Sequence, residues 1–225
     1  MNLSGERRPQ SYLRETLWSD APVSHIVVTP PVPSFPLNPD KADWSVWDFP
    51  DVVDHWNFPG YEGKKMTVSV YSNCEQVELF LNGESLGKQE NTADKKNTLV
   101  WEVPYAHGIL KAVSYNKGGE VGTATLESAG KVEKIRLSAD RTEIVADGND
   151  LSYITLELVD SKGIRNQLAE ELVEFSIEGD ATIEGVGNAN PMSIESFVAN
   201  SRKTWRGSNL LVVRSGKSSG RIIVT

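Results

Sequence analysis

Lys65-Met66-Thr67-Val68-Ser69-Val70-Tyr71, followed shortly by Val77-Glu78-Leu79-Phe80-Leu81-Asn82-Gly83, decides the fold class. Met66, Val68 and Val70 fall on one face of an extended segment, and Val77, Leu79 and Leu81 on one face of the next, because side chains alternate across a strand. Asn82-Gly83 then closes the second segment. Both positions of a two-residue type I′ turn need φ > 0, which asparagine and glycine tolerate best. The pair therefore predicts a β-hairpin.

The same texture extends toward the C-terminus. Thr98–Val103, Gly108–Tyr115 and Glu120–Leu126 read as strands, the last two joined by the turn Asn116-Lys117-Gly118-Gly119. Short strands at this spacing indicate a sandwich or barrel. A boundary falls near Ser128-Ala129-Gly130, after which the pattern restarts. Glu133–Ala139, Thr142–Val145, Leu151–Val159, Glu171–Glu178, Ala181–Gly185, Asn209–Arg214 and Arg221–Thr225 are expected as strands, with Asp160-Ser161-Lys162-Gly163 as a turn. Seven strands in roughly one hundred residues match an immunoglobulin-like sandwich, and Ile154, Leu156 and Leu158 supply one inward stripe.

Toward the N-terminus the texture differs. Residues 1–20 hold the one expected helix, with Pro9 suited to its first turn and Tyr12, Leu13, Leu17 and Trp18 at helical spacing. So short a helix is marginal in water and needs a packing partner. Between Ala21 and Asp54 stand Pro22, Pro30, Pro31, Pro33, Pro36, Pro39 and Pro50, which favour extended chain with few ladder hydrogen bonds. Only Ser24–Thr29 reads as a strand there. Trp44, Trp47, Phe49, Trp56 and Phe58 distinguish the stretch from a disordered linker. The expected organisation is all-β: a helix in 1–20, a proline- and aromatic-rich strap in 21–59, and two immunoglobulin-like β-sandwiches in tandem at 60–128 and 131–225.

A chain of 225 residues fits two domains. Its formal net charge of −8, with no Lys/Arg cluster, argues against nucleic acid as a partner. No apolar run approaches the ~20 residues of a membrane helix. Met1 to Gln10 are polar and charged, without the apolar segment of a signal peptide. Cys74 is the sole cysteine, so no internal disulfide forms.

Several stretches resemble the C-terminal region of bacterial β-galactosidases of glycoside hydrolase family 2. Ser4-Gly5-Glu6-Arg7-Arg8-Pro9-Gln10-Ser11-Tyr12, with Arg14 and Leu17-Trp18, resembles the end of that family's (β/α)₈ barrel. His55-Trp56-Asn57-Phe58-Pro59-Gly60, with Glu62-Gly63, resembles the join into the next β-domain, although Phe58 stands where tryptophan is common. Ser72-Asn73-Cys74 through Leu81-Asn82-Gly83, with Leu86-Gly87, resembles that domain's core. Leu137–Asp140, Ala146–Asp150, and Gly187-Asn188-Ala189-Asn190-Pro191 with Glu195-Ser196-Phe197 are similar to the bacterial immunoglobulin-like domain that follows. The resemblance implies that the upstream barrel of the same polypeptide is the missing partner of the helix, and that Met1 is internal or added. It also implies a periplasmic or secreted bacterial parent.

Retaining glycosidases need two carboxyl groups ~5 Å apart. The resemblance puts both on barrel strands upstream, and its acid/base follows an asparagine directly. This chain contains no Asn-Glu pair, so no catalytic residue is assigned. No cofactor is expected and no metal ligand is assigned: His25, His55 and His107 lack ligand spacing, and Asp147-Gly148-Asn149-Asp150 lacks a full calcium ladder. Cys74 reads as a packed cysteine. The site-like feature is the aromatic set Trp44, Trp47, Trp56, Phe58 and Tyr61, read either as interdomain packing or as a platform for sugar rings. The expectation is a non-catalytic accessory region that braces the barrel, shapes its cleft or aids assembly into a homo-oligomer. The alternatives are a stand-alone carbohydrate-binding module, with glycan as partner, and a cell-surface adhesion tandem.

Overall fold

The computed structural model describes residues 1–34 and 50–225. The chain divides into two compact units, Arg7–Ser128 and Met1–Glu6 with Ala129–Thr225.

The first unit opens with helix α1, Gln10–Trp18, followed by β1 (Ser24–Val28), β2 (Lys65–Ser72), β3 (Gln76–Leu81), β4 (Glu84–Glu90), β5 (Thr98–Pro104), β6 (Ile109–Asn116) and β7 (Gly119–Glu127). The strands form two antiparallel sheets, one ordered β1-β2-β5 and the other β4-β3-β6-β7. Met66, Val68 and Val70 face Val77 and Leu79 across the core, together with Leu99, Trp101, Val103, Leu110 and Ala112. The alternation in the sequence is thus the inward face of each sheet. At the hairpin, Asn82 and Gly83 take φ of 52° and 87°, as a type I′ turn requires. Lys117 and Gly118 repeat that geometry between β6 and β7 at 51° and 79°.

This unit begins earlier than the sequence boundary at residue 60. β1 comes from the strap, yet it is a full edge strand whose Ile26 and Val28 enter the core. Val53 exchanges both backbone hydrogen bonds with Val28, at 2.8 and 2.9 Å, tying the far end of the strap to the same edge. Pro22 and Pro30 bracket β1, which is where an edge strand accepts prolines. Helix α1 packs Tyr12 and Leu13 against Val27, Val52 and Tyr71, on the outer side of that sheet. Its partner within the chain, unclear from sequence, is therefore this small satellite cluster. Leu17 and Trp18 stay uncovered, 64% and 86% exposed.

The second unit contains β8 (Lys134–Ala139), β9 (Leu151–Val159), β10 (Leu172–Glu174), β11 (Ile177–Glu178), β12 (Ala181–Gly187), β13 (Ser201–Lys203), β14 (Ser208–Ser215) and β15 (Ile223–Val224). A four-stranded antiparallel sheet runs β12-β14-β9-β8, and two-stranded ladders pair β10 with β13 and β11 with β15. Ile154, Leu156 and Leu158 pack with Val173, Phe175, Val186, Leu211 and Val213. Thr142–Val145, expected as a strand, is irregular, because its backbone bonds to a side chain: Val145 N–H donates to Asp150 Oδ2 at 2.8 Å. The expected strand Glu171–Glu178 is split into β10 and β11. Met1–Glu6 joins this unit through Glu6, whose carboxylate pairs with Arg165 at 2.9 Å.

Candidate functional site

The motif His55-Trp56-Asn57-Phe58-Pro59-Gly60 turns into the core of the first sandwich. Trp56 is fully buried, at 0% exposure. Its ring meets Tyr105 edge-on at 4.9 Å between centroids and Phe58 at 5.9 Å, and Phe58 meets Tyr105 at 5.7 Å. Edge-to-face pairs of this kind add to the burial of the rings. The polar atoms are matched as well. Trp56 Nε1 donates to the Ala106 carbonyl at 2.8 Å, Phe58 N–H donates to the Tyr105 hydroxyl at 3.0 Å, and the Ser128 hydroxyl donates to the Trp56 carbonyl. Tyr61 lies at the margin of the same core, with Lys64 Nζ 4.5 Å from its ring centre.

Rings so covered have no face left for a sugar. Trp56 and Phe58, expected as a sugar platform or as packing between domains, are instead packing residues inside one domain. Trp44 and Trp47 lie outside the described residues.

Ser72-Asn73-Cys74 pins the leader. Asn73 Oδ1 accepts Val23 N–H at 2.7 Å, and its Nδ2 donates to the Ser19 and Ala21 carbonyls at 3.0 and 2.9 Å. Nothing in the hydrophobic periodicity marks this role. His25 stacks on Tyr12 at 3.5 Å with the rings 16° apart, and burial holds its pKa down to about 4. Cys74 is buried and free.

The outward face of the β4-β3-β6-β7 sheet carries an open cleft of about 630 Å³ lined by Phe80, Ile109, Lys111, Val113, Tyr115 and Glu120, among others. One face of Tyr115 is taken by Lys88 Nζ, 3.6 Å from the ring centre. Burial first, and the Glu78 carboxylate second, push the Tyr115 phenol up. The other aromatic ring lining the cleft is that of Phe80. Sequence reasoning missed the cleft, because Phe80 broke the alternation of β3 without a visible reason.

In the second unit, the Asn188 motif builds a framed loop between β12 and β13. Asn188 Nδ2 donates to the Lys203 carbonyl at 2.8 Å, and Asn190 Oδ1 accepts Met192 N–H at 2.9 Å. Lys203 N–H, donating to Glu195 at 3.1 Å, is the main cause that holds the Glu195 carboxyl below its ordinary value. Beneath the loop Arg202 is fully buried, and its guanidinium donates to the Val186 and Glu195 carbonyls and to the Ser193 hydroxyl at 3.1, 3.2 and 3.0 Å. Asp147-Gly148-Asn149-Asp150 is a turn closed by its own carboxylates, Asp147 Oδ1 accepting from Asn149 and Asp150. Among the described residues no group of three or more His, Cys, Asp or Glu is placed to hold a metal. No helix of the described residues is long and apolar enough to cross a membrane.

These features define a tandem of immunoglobulin-like modules with an aromatic anchor in one and an arginine-framed loop in the other. The pattern of the glycoside hydrolase family 2 C-terminal domain 5 matches residues 135–225, and a domain of unknown function, DUF4982, matches 63–122. Over 186 residues the chain is 33% identical to the β-galactosidase BoGH2A of Bacteroides ovatus, covering 82% of the chain and 22% of that protein. It is 30% identical to a β-glucuronidase of Formosa agariphila over 191 residues, 82% of the chain and 19% of the relative. A crystal structure of a glycosyl hydrolase family 2 member from Bacteroides cellulosilyticus superposes over the whole chain with a TM-score of 0.98 and 99% identity, and the chain spans 29% of it. A β-glycosidase from Bacteroides vulgatus superposes with a TM-score of 0.83 at 26% identity, the chain spanning 26% of it. The chain belongs to glycoside hydrolase family 2 and is a C-terminal region of that family. It spans about a fifth of the curated relatives' length.

Proposed function

We propose that this chain is the non-catalytic accessory region of a β-galactosidase-like hydrolase, acting on terminal β-galactosides through an upstream barrel of the same polypeptide. The observation that carries the reading is α1. The helix is pinned to the first sandwich by Tyr12 and Leu13, and Asn97 Nδ2 donates to the Thr16 hydroxyl at 3.1 Å, while Leu17 and Trp18 face outward. A helix held on one side and apolar on the other suits a bracing element between a sandwich and a second body. Relatives named for β-galactosidase and for β-glucuronidase activity both match the chain, and the galactoside preference rests on the motif resemblance. The test is deletion of residues 21–225 from the whole polypeptide. The reading expects soluble yield or melting temperature to fall while the barrel carboxylates stay in place. A truncated enzyme with unchanged stability, assembly and turnover refutes bracing.

A second reading, glycan binding by the chain itself, is favoured by the open cleft at Phe80. Isothermal titration with a neutral β-galactan oligosaccharide tests it. Binding lost in Phe80→Ala supports the module reading, and no heat at millimolar sugar removes it.

A further inference from the structure

The loop between β12 and β13 combines two features that do not ordinarily meet. Its base is tied by several contacts: Arg202, buried without exposure, donates three hydrogen bonds to the loop and its neighbours, and its guanidinium carbon lies 4.2 Å from the centre of the Phe197 ring. Val186 N–H donates to the Phe197 carbonyl at 2.8 Å, fastening the far arm of the loop to β12. Glu195 turns back to Lys203 N–H and to the Ser193 hydroxyl, so the loop's charges are satisfied inwardly. Its outward side chains are Met192, Ile194, Phe197 and Val198, all exposed, Ile194 completely.

Burying an arginine costs several kcal/mol, offset here in part by the three bonds, since among the described residues Arg202 Nε meets no hydrogen-bond acceptor and the Glu195 carboxylate stands 4.0 Å from it. A loop stiffened at that cost and tipped with apolar groups is preorganised for contact, since a rigid loop loses little entropy on docking. Uncharged side chains also carry little desolvation penalty. An apolar patch on a soluble monomer typically reaches about 300–600 Å². A stable interface between separate chains needs roughly 800 Å² from each partner. A contact within one polypeptide needs less, because tethering supplies an effective concentration near the millimolar range. Relatives of this chain run to more than three times its length.

We infer that Met192, Ile194, Phe197 and Val198 form a docking tip that inserts into an apolar, uncharged recess on the catalytic part of the same glycosidase polypeptide. The inference rests on the accessory reading and names the surface through which the second sandwich is held. The experiment places photoreactive benzoylphenylalanine at position 194 of the whole polypeptide and maps the products of irradiation by mass spectrometry. The expected product is a link to upstream residues of the same chain, unchanged in yield on tenfold dilution. Links only between two copies, or none, overturn the inference. In parallel, Ile194→Asp is compared in the whole polypeptide and in the 225-residue chain. A melting temperature lowered in the former by roughly 2–4 °C and unmoved in the latter supports docking, whereas equal effects in both overturn it. Absence of the link together with turnover confined to the whole polypeptide removes the docking tip and leaves the accessory reading standing. Turnover by the 225-residue chain removes the accessory reading instead.

Discussion

Trp56 shows how one residue joins a connecting segment to a domain. Its indole meets two aromatic edges and a carbonyl acceptor, and its own carbonyl is bonded by Ser128 at the end of the sandwich. Trp56→Ala removes all of this and leaves a cavity, so it should cost about 3–5 kcal/mol. Chemical denaturation checks the value, and a change within about 0.5 kcal/mol is incompatible with the packing described. His25 makes a prediction in pH. Burial keeps it neutral in the fold down to about pH 4, whereas an unfolded histidine takes up its proton near ~6.5. Between these values the unfolded chain binds the extra proton, so stability falls as the pH falls, at up to about 1.4 kcal/mol per pH unit. His25→Phe should lose this part of the acid sensitivity and keep the stack on Tyr12. Equal slopes for parent and variant in urea melts at about pH 7 and about pH 5 would count against it.

Among elements, the hairpins and inward stripes were legible because each is local: Asn82-Gly83 and the glycines after Lys117 carry the backbone preference of their turns, and Lys117 is taken to a φ of 51° with them. Thr142–Val145 was not, because the Asp150 carboxylate captures Val145 N–H, a side-chain competition that hydrophobic periodicity does not read. β4 has only Leu86 and Gln89 shielded from solvent, and β13 is three residues long, so neither writes a hydrophobic pattern. The aromatic anchor was visible as a cluster, but its neighbour Tyr105 lies far along the chain and could not be paired with it from sequence. The loop over Arg202 was visible only as a motif around Asn188, since a buried arginine looks like a surface one. Arg202→Ala should free the loop and leave two carbonyls without their donor, at roughly 2–4 kcal/mol, with hydrogen-exchange protection lost first at Val186 and Lys203. Arg202→Lys should not restore it, because an ammonium cannot fork to several acceptors in one plane. At the next turn, Gly207 has φ +68° and an added Cβ would collide with the Asn166 carbonyl. Gly207→Ala should therefore lose roughly 1–3 kcal/mol, read as a lower urea midpoint.

For the whole molecule, two well-packed cores do not by themselves confer a reaction, since fold alone carries no chemistry. Glycoside hydrolysis canonically uses a pair of carboxyl groups, and the accessory reading locates that pair outside this chain. The direct measurement is hydrolysis of an aryl β-galactoside by the purified 225-residue chain beside the whole polypeptide. The account predicts turnover by the whole polypeptide and none above the uncatalysed rate by the chain. Turnover by the chain that survives repurification would contradict it.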